Sequence, residues 1–341
     1  MKVFHSETHQ KHRIPMPRLA SGDSDAYLES PERVATILAA LKKTPWAEIT
    51  PPQDLGLEAI LAVHTPAYLD YLQNAFSLWK DHVNEDGQVS IPYRAGIDVV
   101  TARSGSIPDQ DGFFMTDLNV PICAGTYEAT ISSAYCGLSA AREVASLSPT
   151  ALGLCRPPGH HAGREICGGF CYLNNAAIAA QWLVRFGKVA ILDIDYHAGN
   201  GTQSIFYDRP EVFTVSLHAD PARAYPNFAG YAQETGSGPG SGFHRNFPLP
   251  SGTDDDLYCQ VLDQALALVD GFSPKFLVLS AGLDTSIHDP LSDLKITRNG
   301  FFRIGQMIAD LKIRTAILLE GGYNTDQLGN NLVALLDPFT L

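Results

Sequence analysis

The sequence predicts an α/β protein with a central, mostly parallel sheet covered by helices on both faces. Three observations carry that reading. Short apolar runs at 189–194, 212–217, 276–280 and 315–319 alternate with segments of helical length, and strands apolar along their whole length are those buried on both faces. The 341 residues are 45% apolar, enough for a substantial core. Charged residues make up only 18%, while 29 Gly and 22 Pro supply many turns, a balance that excludes disorder and collagen.

The elements follow in order. Ser30, Pro31 and Glu32 precede Val34, Ile37, Leu38 and Leu41, so a hydroxyl cap, a first-turn proline and helical spacing predict a helix over 31–43. Leu69, Leu72, Phe76 and Trp79 predict a second over 66–79. The stretch 80–122 has no sustained period and exceeds an ordinary connection, so it reads as a functional loop or contact element. From Gly125 the pattern regularises: an Ala-rich helix over 126–145, a strand at 150–155, a helix over 174–186, and strands at 189–194 and 212–217. A long Gly- and Pro-rich loop to about 250 precedes helix 255–269, strand 276–280, helix 299–311, strand 315–319 and a helix from 325. No internal repeat or low-complexity linker interrupts the chain, which predicts one domain over 1–341.

With 24 basic and 37 acidic side chains the formal charge is −13. Duplex binding needs many phosphate-neutralising cations, so a nucleic-acid partner is excluded and a cationic substrate suits the field better. The six cysteines form no CxxC pair and read as free thiols of a reducing, cytoplasmic setting. The opening MKVFHSETHQKHR lacks an apolar signal core, and no run approaches membrane-spanning length, so neither export nor a membrane is expected.

In a parallel sheet, function collects outside the carboxyl ends of the strands. Four such loops carry unusual residues. The rigid loop after the strand at 150–155 holds adjacent His160 and His161, which suit a general base with an electrostatic partner, or metal ligation. The strand at 189–194 delivers Asp193, Asp195 and His197; a charge at a buried strand end is costly unless it meets a cation or strong hydrogen bonds. Extended backbone would put all three on one side and a turn at Asp195 would redirect them, so spacing alone leaves each ligand unassigned. The run Leu277–Leu279 leads to Asp284, a third partner for Asp195 and His197. Two carboxylates and one imidazole leave an open position, as catalytic Zn²⁺ requires. Last, Glu320, Gly321 and Gly322 turn sharply before Tyr323, whose phenol can stabilise an oxyanion.

The motifs PPGHHA, ILDIDYHAGNGTQ, SAGLD and LEGGY, in this order, resemble the active-site loops of the histone deacetylase superfamily, and residues 220–221 and 230–236 look most like its acetylpolyamine amidohydrolase branch. The resemblance covers nearly the whole chain and implies an arginase-like fold. It implies one catalytic Zn²⁺ on Asp195, His197 and Asp284, with His160 and His161 flanking the attacking water and Tyr323 facing it. It further implies that Asp193 orients His160 while Asn200 faces His161, making His161 the base, and that a structural K⁺ lies near Asp193, Asp195, His197 and Ser216. Phe170 and Tyr225 resemble the two walls of a narrow channel. The segment 80–122 resembles an insertion that forms a homodimer and restricts the entrance.

Two departures stand out. Ala198 follows His197 where relatives often have a second histidine, and Asn119 stands where they keep an acid that holds a substrate's ammonium or peptide backbone. Asp117, two residues earlier, is the local substitute. The implied reaction is hydrolysis of small cationic N-acetylated amines, acetylpolyamines foremost, to acetate and free amine. A peptide acetyl-lysine deacetylase shares every catalytic residue and is the main rival; a binuclear Mn²⁺ ureohydrolase and a non-catalytic binding protein are the others.

Overall fold

The computed structural model describes residues 1–14, 27–79, 112–117, 119–146 and 148–340. Eight strands form one sheet: β1 (Lys2–Phe4), β2 (Glu48–Thr50), β3 (Thr150–Gly153), β4 (Val189–Asp193), β5 (Val212–Ala219), β6 (His244–Leu249), β7 (Phe276–Ala281) and β8 (Arg314–Leu319). The order is β2-β1-β3-β8-β7-β4-β5-β6, and every pairing is parallel. The described helices are α1 (Glu32–Leu41), α2 (Glu58–Leu61), α3 (Pro66–Trp79), α4 (Thr126–Ser146), α5 (Asn175–Leu183), α6 (Asn200–Phe206), α7 (Asp255–Phe272), α8 (Arg298–Ala309) and α9 (Thr325–Leu336).

The unbroken apolar strands are explained by a core on each face. Successive side chains alternate: Ala190, Leu192, Leu277, Leu279, Ile317 and Leu319 meet the apolar stripes of α1, α7, α8 and α9. Val189, Ile191, Val278, Ala316 and Leu318 meet α3, α4 and α5 on the other side. Side chains of Asn174, Asp254, Thr297 and Asn324 cap the helices they precede, each accepting from a first-turn N–H.

Several expectations are corrected. Pro31, not Ser30, occupies the cap of α1, and no side chain caps it. The loop expected to run to 250 contains β6, and β1 and β2 were not expected at all; three-residue strands carry no period, and β6, at an edge, mixes His244, Arg245, Asn246 and Pro248 among its apolar residues. Most of the 80–122 segment lies outside the described residues; within it, 112–117 and 119–122 pack against the site, with Met115 bridged to Cys167. The six thiols are free. Among the described residues, no helix is long and apolar enough to cross a membrane.

Candidate active site

The four motif loops leave four adjacent strands, β3, β8, β7 and β4, so residues far apart in sequence converge at one end of the sheet. Asp195, His197 and Asp284 bring one ligand atom each within 4.8 Å of one another. The Nδ1 of His197 lies 3.0 Å from Asp284 Oδ2 and 3.2 Å from Asp195 Oδ1. Backbone N–H groups orient both carboxylates: Tyr196 donates to Asp284 at 3.0 Å, while His197 and Gly321 donate to Asp195 at 2.9 and 2.8 Å. A Cβ on Gly282 would strike Asp195, and one on Gly321 would strike both acids, so the close approach requires glycine.

The electrostatics of this trio call for a cation. Burial and then the Asp195 charge push Asp284 up to about 7. Burial opposes ionisation of Asp195, but the charges and hydrogen bonds of His160 and His197 hold it well below the usual carboxylate range. Burial likewise opposes protonation of His197, yet hydrogen bonds to Asp195 and Asp284 raise it to about 9. Two buried acids and an imidazole that retain a proton among themselves form a donor set suited to a divalent ion with an open position.

Beside them the two histidines of the β3 loop are electrically unequal. His160 Nδ1 donates to Asp193 Oδ2 at 3.0 Å, and His161 Nδ1 donates to the amide oxygen of Asn200, the first residue of α6, at 2.7 Å. Since both acceptors are oxygens, each ring carries its proton on Nδ1 and leaves Nε2 on the other side. Burial works against charge on His160, but Asp195 and Asp193 outweigh it and hold its pKa well above the ordinary imidazole value. Burial, then the neighbouring His160 and His197, push His161 well below it. The rings are 3.9 Å apart, one favouring charge and one neutrality.

Tyr323 is carried by the turn after β8. Its N–H donates to Asp289 at 2.6 Å, and its ring lies 5.5 Å from Phe170. Burial, reinforced by Asp284 and Asp195 against the pull of Arg33, holds its phenol well above the ordinary value, so it remains a donor. The sequence reading missed the ion network behind it. Arg33 of α1 lies 4.8 Å over the Tyr323 ring and donates to the carbonyls of Gly322 and Glu320. Glu29 pairs with Arg33 at 3.0 Å and with Arg156, at the foot of the His160 loop, at 2.9 Å. Glu320 accepts from the N–H of Gly159 and His160 at 2.7 and 3.1 Å. One signal was available: Arg33 is four residues before Ile37, on the apolar stripe of α1, where a charge needs a buried partner.

The described residues hold two further donor clusters. In His5, Glu7 and His9, the Arg156 guanidinium faces His9 Nδ1 at 3.4 Å, which opposes a cation there. In His160, Cys171 and Glu320, the glutamate already serves the loop backbone.

Phe170 and Tyr225 are both half-buried, Phe170 beside Tyr323 and Tyr225 edge-on to His161 at 4.8 Å. The side chain of Asn119 is exposed, and its carbonyl accepts from Phe170 N–H at 3.1 Å. Asp117, expected to meet the substrate, has both oxygens engaged by protein donors, including the Tyr225 hydroxyl at 2.7 Å and Gly169 N–H at 3.0 Å.

An all-parallel sheet bearing an Asp-His-Asp trio, a histidine pair and a tyrosine at one end defines the class of metal-assisted amide hydrolases. The histone deacetylase-type motifs are matched by a family model: the histone deacetylase domain fits residues 27–337, and the chain belongs to this family. Acetylpolyamine amidohydrolase 1 of Pseudomonas aeruginosa is 40% identical to it, over 99% of both chains. The acetylpolyamine amidohydrolase of Mycoplana ramosa is 39% identical over 98% of both. The crystal structure of acetylpolyamine aminohydrolase from Burkholderia pseudomallei superimposes with a TM-score of 0.93 at 36% identity, covering 99% of this chain and 98% of that one.

Proposed function

We propose that this protein hydrolyses the amide bond of small N-acetylated amines, acetylpolyamines foremost, to acetate and free amine. The observation that carries the reading is the Asp195–His197–Asp284 trio set beside a histidine pair of opposite charge preference. The similarity over full length to acetylpolyamine amidohydrolases supports the substrate class.

Asp195, His197 and Asp284 would hold Zn²⁺, which when bound supplies a Lewis acid for the acetyl carbonyl and makes water more acidic. His161, its Nδ1 tied to Asn200, offers Nε2 to take the proton of the attacking water. Tyr323 donates to the carbonyl oxygen as negative charge gathers there. The new bond joins water oxygen to the acetyl carbon, the C–N bond breaks, and the departing nitrogen takes a proton from His161 or His160. Asp193 holds the His160 ring in place and favours its charged form until a proton is given up. A structural K⁺ is proposed near Asp193, Asp195, His197 and Ser216; the β4–β5 register sets Asp193 against Ser216.

A homodimer, an entrance restricted by the 80–122 segment, and a cytoplasmic location complete the proposal, resting on segment length, family resemblance and six free thiols. A second reading, acetyl-lysine peptides as substrate, is favoured by one observation: uncharged Asn119 lies at the mouth while Asp117 is engaged. Acetate release from acetylated diamines, longer acetylated polyamines and acetyl-lysine peptides, measured side by side with Zn²⁺-reconstituted protein, tests both. Faster turnover of the peptides would replace the polyamine reading, and no acetate from any of them would remove the enzyme reading.

A further inference from the structure

The carboxylate of Asp117 is half-buried and engaged by donors of the protein on both oxygens. Its Oδ2 accepts from the Tyr225 hydroxyl at 2.7 Å and Gly169 N–H at 3.0 Å, and the Thr116 hydroxyl, 3.2 Å away, also faces the Cys167 carbonyl at 3.0 Å. Its Oδ1 accepts from Asn119 N–H at 2.8 Å and, more weakly, from Gly169 N–H at 3.3 Å. A carboxylate has about four lone-pair positions, and three of the protein's own donors, Tyr225, Gly169 and Asn119, already hold it.

The donors belong to the two walls. Gly169 and Phe170, with φ of 51° and 68°, form a tight turn closed by the Gly168–Cys171 bridge. Positive φ at both central positions is a type I′ requirement, and a phenylalanine there is strained unless the surroundings fix it. The fixing contacts come from 117–119: Asp117 takes the N–H of Gly169, and the Asn119 carbonyl takes that of Phe170. On the other wall the Tyr225 ring meets His161 at 4.8 Å and His197 at 6.2 Å, and its hydroxyl donates to Asp117 at 2.7 Å.

We propose that Asp117 is a positioning and specificity-determining residue: its carboxylate latches the Phe170 turn to the Tyr225 wall, fixing a slot for an unbranched aliphatic stem, and it does not bind the substrate's ammonium. The kinetic part of its test rests on the amidohydrolase reading. The latch acts on stem shape, so its loss is felt equally by charged and neutral substrates.

The experiment compares wild type, Asp117→Ala, Tyr225→Phe and the double variant, all Zn²⁺-reconstituted, on N-acetylputrescine, neutral N-butylacetamide and bulky N-(cyclohexylmethyl)acetamide. Asp117→Ala is expected to lower kcat/KM about tenfold for both linear amides, while the preference for linear over bulky amide narrows. The double variant should fall within about twofold of the worse single variant, because both remove one contact. A loss confined to N-acetylputrescine, full additivity, or an unchanged linear-to-bulky preference would overturn the latch. Should Asp117→Ala not fold, Tyr225→Phe alone carries the selectivity test. Independently of turnover, the Tyr225 hydroxyl proton of ring-labelled protein should give a downfield, slowly exchanging NMR resonance that Asp117→Asn shifts; its absence from wild type would also overturn the proposal. A wild type with that resonance but no acetate from any amide would fail the amidohydrolase reading and leave the latch standing.

Discussion

The floor of the site and its mouth are built differently. The floor hangs from the ends of four adjacent strands, and its acids are fixed by backbone N–H groups of the next loop: Tyr196 to Asp284, Gly321 to Asp195. The mouth is made of loops, Phe170 on a turn and Tyr225 at the start of a long excursion, joined through one carboxylate. On the proposed reading, chemistry is set where the sheet enforces geometry, and substrate choice where a few contacts adjust a slot. Substitutions in the floor should change whether the reaction runs, and those in the mouth which substrate it prefers.

The largest effect belongs to the metal-ready trio. Asp284→Ala or His197→Ala should abolish acetate release, a loss beyond about a thousandfold, while far-ultraviolet circular dichroism stays near wild type because the strands are secured by apolar contacts on both faces. Metal analysis of the same samples should find Zn²⁺ retention reduced. Substantial turnover in a metal-free variant would move the chemistry elsewhere and dissolve the contrast between floor and mouth.

Next comes Tyr323→Phe, which keeps the ring against Phe170 and Arg33 but deletes the donor. Loss of one oxyanion donor costs on the order of 3 kcal/mol, roughly a hundredfold in the chemical step. Single-turnover rates below a threefold loss would show that this tyrosine only packs, and would assign it to the mouth instead.

Much of the floor was legible in the sequence because it is a strand-end phenomenon. Asp193, Asp195 and Asp284 each follow an apolar run, and an acid in that position asks for a partner. The four long central strands announced themselves as unbroken apolar segments. What stayed hidden depends on contacts between distant segments with no period of their own: β1 and β2 are three residues each, and the Glu29–Arg33–Arg156 network joins α1 to the β3 loop. Asp117 was visible as a charge near the entrance, but only three-dimensional placement reveals that its oxygens are engaged by Tyr225, Gly169 and Asn119.

The framework beneath both regions makes an acid-sensitive third case. Burial holds His9 and His64 at about 4 and His12 at about 3, with Arg156 lowering His9 and His12 further. A histidine whose pKa is depressed on folding supports stability fully above its unfolded value near 6.5, and that support is lost as pH falls toward the folded value. At pH 5.5 each such histidine costs about 1.4 kcal/mol relative to pH 7.5. The thermal midpoint should therefore fall steadily from pH 7 to 5, and His64→Gln should lessen the slope. A flat midpoint across that range would mean these rings gain protons without opening the fold.

The smallest effect separates the mouth from the floor most cleanly. Asn119 is exposed and uncharged, and its backbone already holds the Phe170 turn, so Asn119→Asp adds a carboxylate without touching those bonds. A partly wet ion pair with a substrate's distal ammonium is worth up to about 1 kcal/mol, so kcat/KM for acetylated diamines should rise by roughly fivefold or less, with kcat nearly unchanged because the new contact is equally present before and at the transition state. A neutral amide of the same length should gain nothing. Raising ionic strength from 0.05 to 0.5 M, as steady-state kinetics can follow directly, should erase most of the gain, since exposed charges are screened over a Debye length of about 10 Å at 0.1 M and less at higher salt. A salt-independent rise, or an equal rise for the neutral amide, would mean that the substitution reshapes the slot through the 117–119 backbone, and the division between a reactive floor and a selecting mouth would then have to include that backbone on both sides.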